Sequence, residues 1–202
     1  VERRGYAESM EELLRQAVER TDRPKRDCAI LMHADFAHAP ASLPDLVRRI
    51  ESGADVVVAQ ARLQGEPSRL RCWARRVAPL LLRGAVGVPG VNDVVSGFAA
   101  FRLVTLRNAF RGTSAPLLTT SGWAANAELY ARTARHARRV ETITAVERSD
   151  LRQRGTRVRS GEALLNVWKS RAAVRRASPP PRTADPAAPR ESHRPAEVAS
   201  SS

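Results

Sequence analysis

Three residues that could bind a cation or act in acid–base chemistry, His33, Asp35 and His38, directly follow an apolar run. That run, residues 28–32, has the length and composition of a strand covered on both faces in an α/β sheet. Ligands bind at the carboxyl ends of the strands in such sheets. His33 and Asp35 are two residues apart, so on an extended segment their side chains point the same way and could share one cation.

Residues 33–38 could also have a purely structural role. Asp35 could instead cap a turn in the loop that ends the strand. A tetrahedral zinc site is a poor alternative because it needs three or four protein ligands, and Cys28 and Cys72 lack metal-like spacing. The stretch therefore predicts either a cation site or a turn.

The elements on either side predict an α/β fold. A helix is expected over residues 9–20, opened by a capping box of Ser9 and Glu12. A second helix is expected over 42–52, and Gly53 supplies its end.

A second buried strand is predicted over residues 55–60, with a polar loop after it over 61–68. Two strands joined through a helix by short connections predict a right-handed crossover to a parallel neighbour. The first predicted helix leads straight into a buried strand, which needs neighbouring strands that nothing upstream supplies. A domain that lacks its N-terminal strands is therefore expected.

Composition limits the classes of partner. The chain has 202 residues, 43% of them hydrophobic, which is enough for a sizeable core. Two lone cysteines imply no disulfide framework and suit a reducing cytosol. The net charge of +13 and the isoelectric point near 11.4 favour acidic partners, namely nucleic acid, anionic lipid headgroups or phosphorylated small molecules.

The second half of the chain continues the alternation of helices and strands. An arginine-rich helix over 69–86 is expected either to pack with a solvated basic face or to lie on an anionic membrane. Short helices are predicted over 103–111 and 123–137, the latter capped by residues 119–121. Residues 139–146 predict a further strand at a sheet edge.

Five features in this order resemble the family 2 glycosyltransferases with a GT-A fold, especially the polyprenyl-phosphate (dolichol-phosphate mannose synthase-like) sugar transferases. They are a strand ending in Met-x-Ala-Asp at 32–35, the strand DVVV at 55–58, the basic helix, Asp-x-x-Ser-Gly-Phe-x-x-Phe-Arg at 93–102, and a Gly-Trp block at 122–129 with Glu128-Leu129. The resemblance covers residues 5–169. It implies a GT-A, mostly parallel sheet flanked by helices and lacking its N-terminal strands.

The resemblance also implies a cation at the end of the first strand. In this family an Asp-x-Asp motif there holds Mn²⁺ or Mg²⁺ against the diphosphate of a nucleotide sugar. In this chain His33 replaces the first aspartate, and Asp35 keeps the position closest to the metal. This change implies a His/Asp site better suited to Mn²⁺, weaker use of a metal, or loss of activity.

The family's acceptor side corresponds to Asp93 with Ser96, Gly97 and Phe98. Some relatives carry a carboxylate where Gly97 stands, so Asp93 and Glu128 are the candidates for the catalytic base. The structural alternatives are a turn residue for Asp93 and a helix-start carboxylate for Glu128.

An arginine-rich segment over 147–160 resembles the family's basic loop, with Arg154 and Arg157 as the nearest matches, and would bind the diphosphate. A last helix is predicted over 161–174. The predicted organisation is thus a partial GT-A domain over residues 1–174 and a disordered tail, rich in Pro, Ala, Ser and Arg, over 175–202.

The resemblance implies transfer of a hexose from a nucleoside diphosphate sugar to a lipid-phosphate or other hydroxyl or phosphate acceptor. The expected location is the cytoplasm, with possible peripheral contact at an anionic inner membrane face. A catalytically inactive relative that keeps the fold as a binding or scaffold module is the first alternative. A nucleic-acid-binding protein ranks last, since basic residues are not interleaved with stacking aromatics and no helix-turn-helix or zinc signal occurs.

Overall fold

The computed structural model describes residues 5–34, 38–64, 77–78, 80–82, 85–88, 90–111, 116–148 and 160–178. Structural statements below concern these residues. Their elements, in chain order, are α1 (Tyr6–Arg20), β1 (Cys28–Leu31), a 3₁₀ turn (Pro40–Ser42), α2 (Leu43–Glu51), β2 (Val56–Gln64), β3 (Ala99–Arg102), α3 (Leu103–Phe110), α4 (Trp123–Ala134), β4 (Val140–Arg148) and α5 (Ser160–Ala177).

The strands form one mixed sheet in the order β1-β3-β2-β4. β3 runs antiparallel to both of its neighbours, and β2 pairs in parallel with β4. The α/β class is confirmed, but the expected crossover from β1 to an adjacent parallel strand is wrong, because β3 lies between β1 and β2. Ala99, Ala100 and Phe101 of β3 are fully buried whereas β1 is only half-buried, so β3 is an interior strand and β1 an end strand of the described sheet.

Helices cover both faces of this sheet. Side chains of alternating residues in β2 point to opposite faces, with Val56 and Val58 in the larger core and Val57 in the smaller one. The larger core includes residues of α1, α3, α4 and α5, and the smaller one is closed by α2 through Leu46 and Ile50.

Several predicted element ends differ from the observed ones. α1 begins at Tyr6 after Gly5, so Ser9 lies inside the first turn, donates its backbone N–H to the Gly5 carbonyl (2.9 Å) and forms no capping box. β2 extends to Gln64, so residues 61–64 are strand where a loop was expected; they pair along β4. α2 ends as predicted before Gly53, whose φ of +107° suits glycine.

The remaining predicted elements have mixed outcomes. β4 lies at an end of the described sheet, as expected, and α5 continues to Ala177 rather than stopping at residue 174. Of the predicted helix 69–86, residues 77–78 and 80–82 are helical and most others lie outside the described residues, as does the tail from residue 179. None of the helices in the described part of the chain is both long enough and apolar enough to cross a membrane.

Arg102, at the end of β3, joins β3 to two other segments. Its guanidinium donates to the backbone carbonyls of Lys25 (2.6 Å), Ile50 and Ala54 (3.0 Å). It also pairs with Asp55 at 3.3 Å, and both side chains are only 15% exposed. Arg102 therefore links β3 to the segment before β1 and to the connection between α2 and β2.

Replacing Arg102 with Met should lower the free energy of unfolding by about 3 kcal/mol, because Asp55 loses its ion-pair partner and three backbone carbonyls lose a charged donor. Asp55 Oδ2 keeps the backbone N–H groups of Arg138 and Arg139, which limits the loss. Urea unfolding of both proteins measures the loss. Arg48→Met is the matched control, since Arg48 and its partner Asp45 are 75% and 58% exposed, and it should change stability by less than about 0.5 kcal/mol. Equal losses in the two variants would contradict the assigned role of Arg102.

Candidate functional site

The predicted site residues around positions 33 and 93–98 meet at one edge of the sheet, the side on which β1 ends and β3 begins. Leu31, the last residue of β1, pairs with Ala99, the first residue of β3, and Val58 pairs with Ala99 from the other side. The segment that leaves β1 and the segment that enters β3 are therefore neighbours. Such a strand end is where α/β sheets bind ligands.

Direct contact between His33 and Gly97 brings the two predicted clusters together. A Cβ atom placed on Gly97 would lie 1.9 Å from His33 Nε2 and 2.4 Å from Cδ2, far closer than atoms can approach. The imidazole therefore rests on the backbone of Gly97. Glycine is required here by the close approach of a side chain, since it lacks the atom that would collide.

Tyr6 holds the ring of His33 from the α1 side. The two rings stack with centroids 5.5 Å apart and planes 14° from parallel. Tyr6 donates its hydroxyl hydrogen to Asn126 Oδ1 (2.8 Å), and Asn126 Nδ2 donates to the Val95 carbonyl (3.0 Å). Burial raises the pKa of Tyr6 to about 12, against the opposing effect of the Asn126 hydrogen bond, so the phenol stays protonated.

Sequence reasoning missed Tyr6 and Asn126. Tyr6 precedes the predicted start of the first helix, and no motif includes it. Asn126 lies inside the Gly-Trp block at 122–129, and its position there is the one signal that could have found it.

His38, the other histidine of the opening cluster, is 6% exposed. Its ring lies 4.8 Å from the ring of Phe98 and 6.5 Å from that of His33, centroid to centroid. Residue 38 also forms an isolated antiparallel bridge with Glu147 near the end of β4. His38 thus packs beneath the edge and connects it to β4.

Ser96 and Phe98 support the edge from within, because both are fully buried. The Ser96 hydroxyl oxygen accepts the N–H of Phe98 (3.3 Å), and the Ser96 carbonyl accepts the hydroxyl of Tyr130. The Phe98 carbonyl accepts the N–H of Ala59 (3.0 Å). Of the predicted Ser-Gly-Phe block, Gly97 therefore lies against His33 and Phe98 against His38, whereas Ser96 supports the backbone between them.

Asp93 begins the segment that carries Gly97 and is half-buried. Its Oδ2 accepts the N–H of Ala61 in β2 at 3.3 Å. Next to it in the sheet, Gln60 Nε2 donates to the carbonyl of Gly90 (3.1 Å). These contacts fasten the segment to β2 and place the Asp93 carboxylate at the same strand end as His33.

Glu128 is a structural carboxylate. It is fully buried and accepts six hydrogen bonds, namely the backbone N–H and hydroxyl of both Thr119 and Thr120 and two from Arg132, all between 2.7 and 3.0 Å. Burial acts to raise the pKa of Glu128, but these hydrogen bonds outweigh it and leave the pKa below its ordinary value. A carboxylate with both oxygens occupied is a poor base.

The expected threonine caps on α4 are also absent. Gly122 occupies the N-cap position with φ +58°, and the helix has no side-chain N-cap hydrogen bond. Thr119 and Thr120 instead turn toward Glu128, because a buried carboxylate needs donors more than a solvated helix end does.

Glu11 repeats this arrangement on α1. Its carboxylate accepts the backbone N–H groups of Leu117 (2.9 Å) and Leu118 (2.8 Å), and Arg15 donates to it at 2.8 Å. The guanidinium of Arg15 lies 4.4 Å from the centroid of the Phe110 ring. Two glutamates, each paired with an arginine four residues later, thus bind four consecutive N–H groups at 117–120.

A divalent cation could bind here only if His33 and its neighbours offered suitable ligand atoms. Its Nε2, the usual ligand atom, is the ring atom nearest to Gly97. In the part of the chain that the structure describes, no three His, Cys, Asp or Glu side chains form a group that could hold a metal. Because its Nε2 packs against the Gly97 backbone, His33 as placed does not fit as a ligand through that atom.

Three predicted site residues, Asp35, Arg154 and Arg157, lie outside the described residues.

Comparison of the chain with protein-family models and with curated proteins found no match.

Gly97→Ala should lower the free energy of unfolding by about 2 kcal/mol and disrupt the stack of His33 on Tyr6, because the added methyl collides with the imidazole. Urea unfolding and the NMR signals of the His33 ring protons measure the two effects. Gly5→Ala is the control, since nothing lies within 4 Å of a Cβ there, and should cost only the loss, about 0.5 kcal/mol, expected when alanine replaces the N-cap glycine of α1.

A double-mutant cycle sharpens this prediction. In a His33→Ala background the collision partner is gone, so Gly97→Ala should become nearly neutral. An unchanged cost would show that the collision is with something other than His33.

Glu128→Gln should lower the free energy of unfolding by about 3 kcal/mol at pH 7, because it breaks a buried ion pair and places an amide against donors. Folding lowers the pKa of Glu128 below its ordinary 4.5, so the carboxylate's contribution is full above about pH 5 and is lost as pH falls through the folded pKa. The wild-type advantage over the variant should therefore shrink below about pH 4.

Urea unfolding at several pH values measures that advantage. Glu162→Gln, at an exposed glutamate in the first turn of α5, should show almost no difference at any pH. An advantage for Glu128 that grows as pH falls would contradict the assignment.

Proposed function

We propose that the chain belongs to a sugar transferase of the family 2 type and that its site is the sheet edge around His33 and Gly97. The contact between these two residues is the observation that carries the proposal. In the resembled family, position 33 belongs to the donor-diphosphate motif and position 97 to the acceptor block. Packing of one on the other supports a single site at this edge.

The proposed reaction is a displacement at the anomeric carbon of a nucleoside diphosphate sugar. A bond forms between an acceptor oxygen and that carbon while the bond from the carbon to the diphosphate oxygen breaks, and the nucleoside diphosphate leaves with both bonding electrons. A hydroxyl acceptor gives its proton to a base. A phosphate acceptor is already an anion near neutral pH, so positioning then matters more than a base.

Asp93 is the proposed base, because Glu128 is occupied by its six hydrogen bonds. Oδ2 of Asp93 accepts the Ala61 N–H at 3.3 Å, which fixes the carboxylate on the segment that leads to Gly97. A positioned carboxylate at hydrogen-bonding distance from a hydroxyl can accept its proton in the transition state. For a lipid-phosphate acceptor the same group would orient the acceptor.

The donor diphosphate is assigned to Asp35, with Arg154 and Arg157, as the resemblance implies. Guanidinium groups bind phosphate oxygens in pairs of hydrogen bonds and would balance the charge that develops on the leaving group. We expect Mn²⁺ or Mg²⁺ to bind at Asp35, as the resemblance implies. The proposed location is the cytoplasm.

An inactive binding module is the second candidate. One observation favours it: the imidazole of His33 is engaged on both sides, by Tyr6 and by Gly97. His33 stands where the resembled family has a metal-binding aspartate, but here its ring is packed between Tyr6 and Gly97. Such a site is consistent with binding of a nucleotide sugar without its transfer.

Asp93→Asn should slow sugar transfer to a hydroxyl acceptor by about a hundredfold or more while donor binding is kept, because the amide cannot accept a proton. Release of nucleoside diphosphate from a panel of nucleotide sugars, with and without Mn²⁺, measures the rate, and calorimetry measures binding. Asp45→Asn, at an exposed carboxylate of α2, is the control and should transfer at the wild-type rate.

The outcomes separate the candidates. Wild-type transfer in Asp93→Asn would contradict the role of Asp93. Donor binding without transfer in the wild type would favour the inactive module, and absence of any donor binding would overturn the proposal. Asp35→Ala should lose donor binding, and unchanged binding would remove Asp35 from the donor site.

A further inference from the structure

α5 exposes an apolar stripe on the side that faces away from the core. Leu165 and Trp168 are 51% and 59% exposed, which is unusual for side chains of this size. With Ala172 they are spaced three and four residues apart, so they lie in one line along the helix. The opposite face of α5 carries Val167 and Val174, which are buried in the larger core.

Four cations flank this stripe. On an α-helix, Arg171 and Arg175 lie along one side of the line through Leu165 and Trp168, and Lys169 and Arg176 lie along the other. All four are exposed. Among the described residues, none of the four forms an ion pair with a carboxylate, so their charge is available to a partner.

The helix is fixed in this orientation by contacts with α4. Asn166 Nδ2 donates to the hydroxyl of Ser121 (2.7 Å) just before α4, and Arg135 just after α4 donates to the carbonyl of Arg176 (3.5 Å). At its end, Ser178 donates to the Ala85 carbonyl. The stripe therefore stays outward without refolding of α5.

We infer that this face of α5, defined by Leu165, Trp168, Ala172 and the four flanking cations, docks on an anionic membrane surface. An apolar line containing tryptophan suits the boundary between headgroups and acyl chains, where an amphipathic ring is favoured. Lysine and arginine on both sides extend to lipid phosphates while their stems stay near the apolar line. The charge complementarity selects an anionic surface over a neutral one.

This inference is independent of the proposed sugar transfer, because membrane docking needs neither donor nor acceptor. It also concerns a different helix from the sequence-based alternative in which the helix over residues 69–86 lies on an anionic membrane.

Sedimentation with vesicles tests the inference on the full chain. The wild type should bind vesicles of phosphatidylcholine with phosphatidylglycerol, should bind pure phosphatidylcholine vesicles much more weakly, and should be released by salt. Replacing Leu165 and Trp168 with Ala, or the four cations with Gln, should weaken binding to anionic vesicles about tenfold or more.

Matched controls use exposed residues elsewhere. Leu13→Ala removes a 64% exposed leucine from α1, and changing Arg20, Arg23, Lys25 and Arg26 to Gln removes the same number of charges from another surface. Both controls should bind as the wild type does. Equal weakening by the two charge variants would show that only net charge matters and would overturn the docking face.

Other occupants of the face give distinct results. No binding to anionic vesicles by the wild type overturns the inference. A dimer that becomes a monomer in the Leu165/Trp168 variant, with vesicle binding unchanged, assigns the face to a second copy of the chain. Binding of duplex RNA that requires the four cations, with no vesicle binding, assigns it to nucleic acid.

Discussion

The place of β3 between β1 and β2 is the constraint on which the candidate site depends. β3 is short, its first three residues are fully buried, and it is antiparallel to both neighbours, so the segment that enters it lies beside the segment that leaves β1. Gly97 then passes under the ring of His33, two residues before β3 begins. Any side chain at position 97 would push these two segments apart. The close packing of the edge therefore requires glycine at position 97.

Two buried carboxylates on helices α1 and α4 hold the segment that supports this edge. Glu11 and Glu128 bind the four N–H groups of residues 117–120, and each is balanced by an arginine on the next turn of its own helix. The segment they fix leads into α4, from which Asn126 and Tyr130 bind the carbonyls of Val95 and Ser96. The backbone that supports Gly97 is therefore held by a chain of polar contacts inside an apolar core, where each unmet hydrogen bond would be costly.

Local patterns predicted most elements, because apolar periodicity and the end of α2 at Gly53 depend on near neighbours along the chain. Strand order was not predictable in the same way, since the insertion of β3 between β1 and β2 is decided by burial across the whole sheet. Asp93 and Gly97 were singled out from their motif, whereas the hydrogen bonds that surround Glu128 were not predicted. Its environment is made by Thr119, Thr120 and Arg132, and no spacing rule shows that all three point at one carboxylate. Tyr6 was missed because its partner His33 is 27 residues away.

The central claim is that the edge formed by His33 and Gly97 binds a nucleoside diphosphate sugar. The most direct measurement is an NMR titration of the full chain with nucleoside diphosphate sugars, with and without Mn²⁺, following the Gly97 amide and the His33 ring protons. The account predicts that both sets of signals shift together and saturate with one donor. Saturable binding that leaves both unchanged, or no binding by any donor, would contradict it.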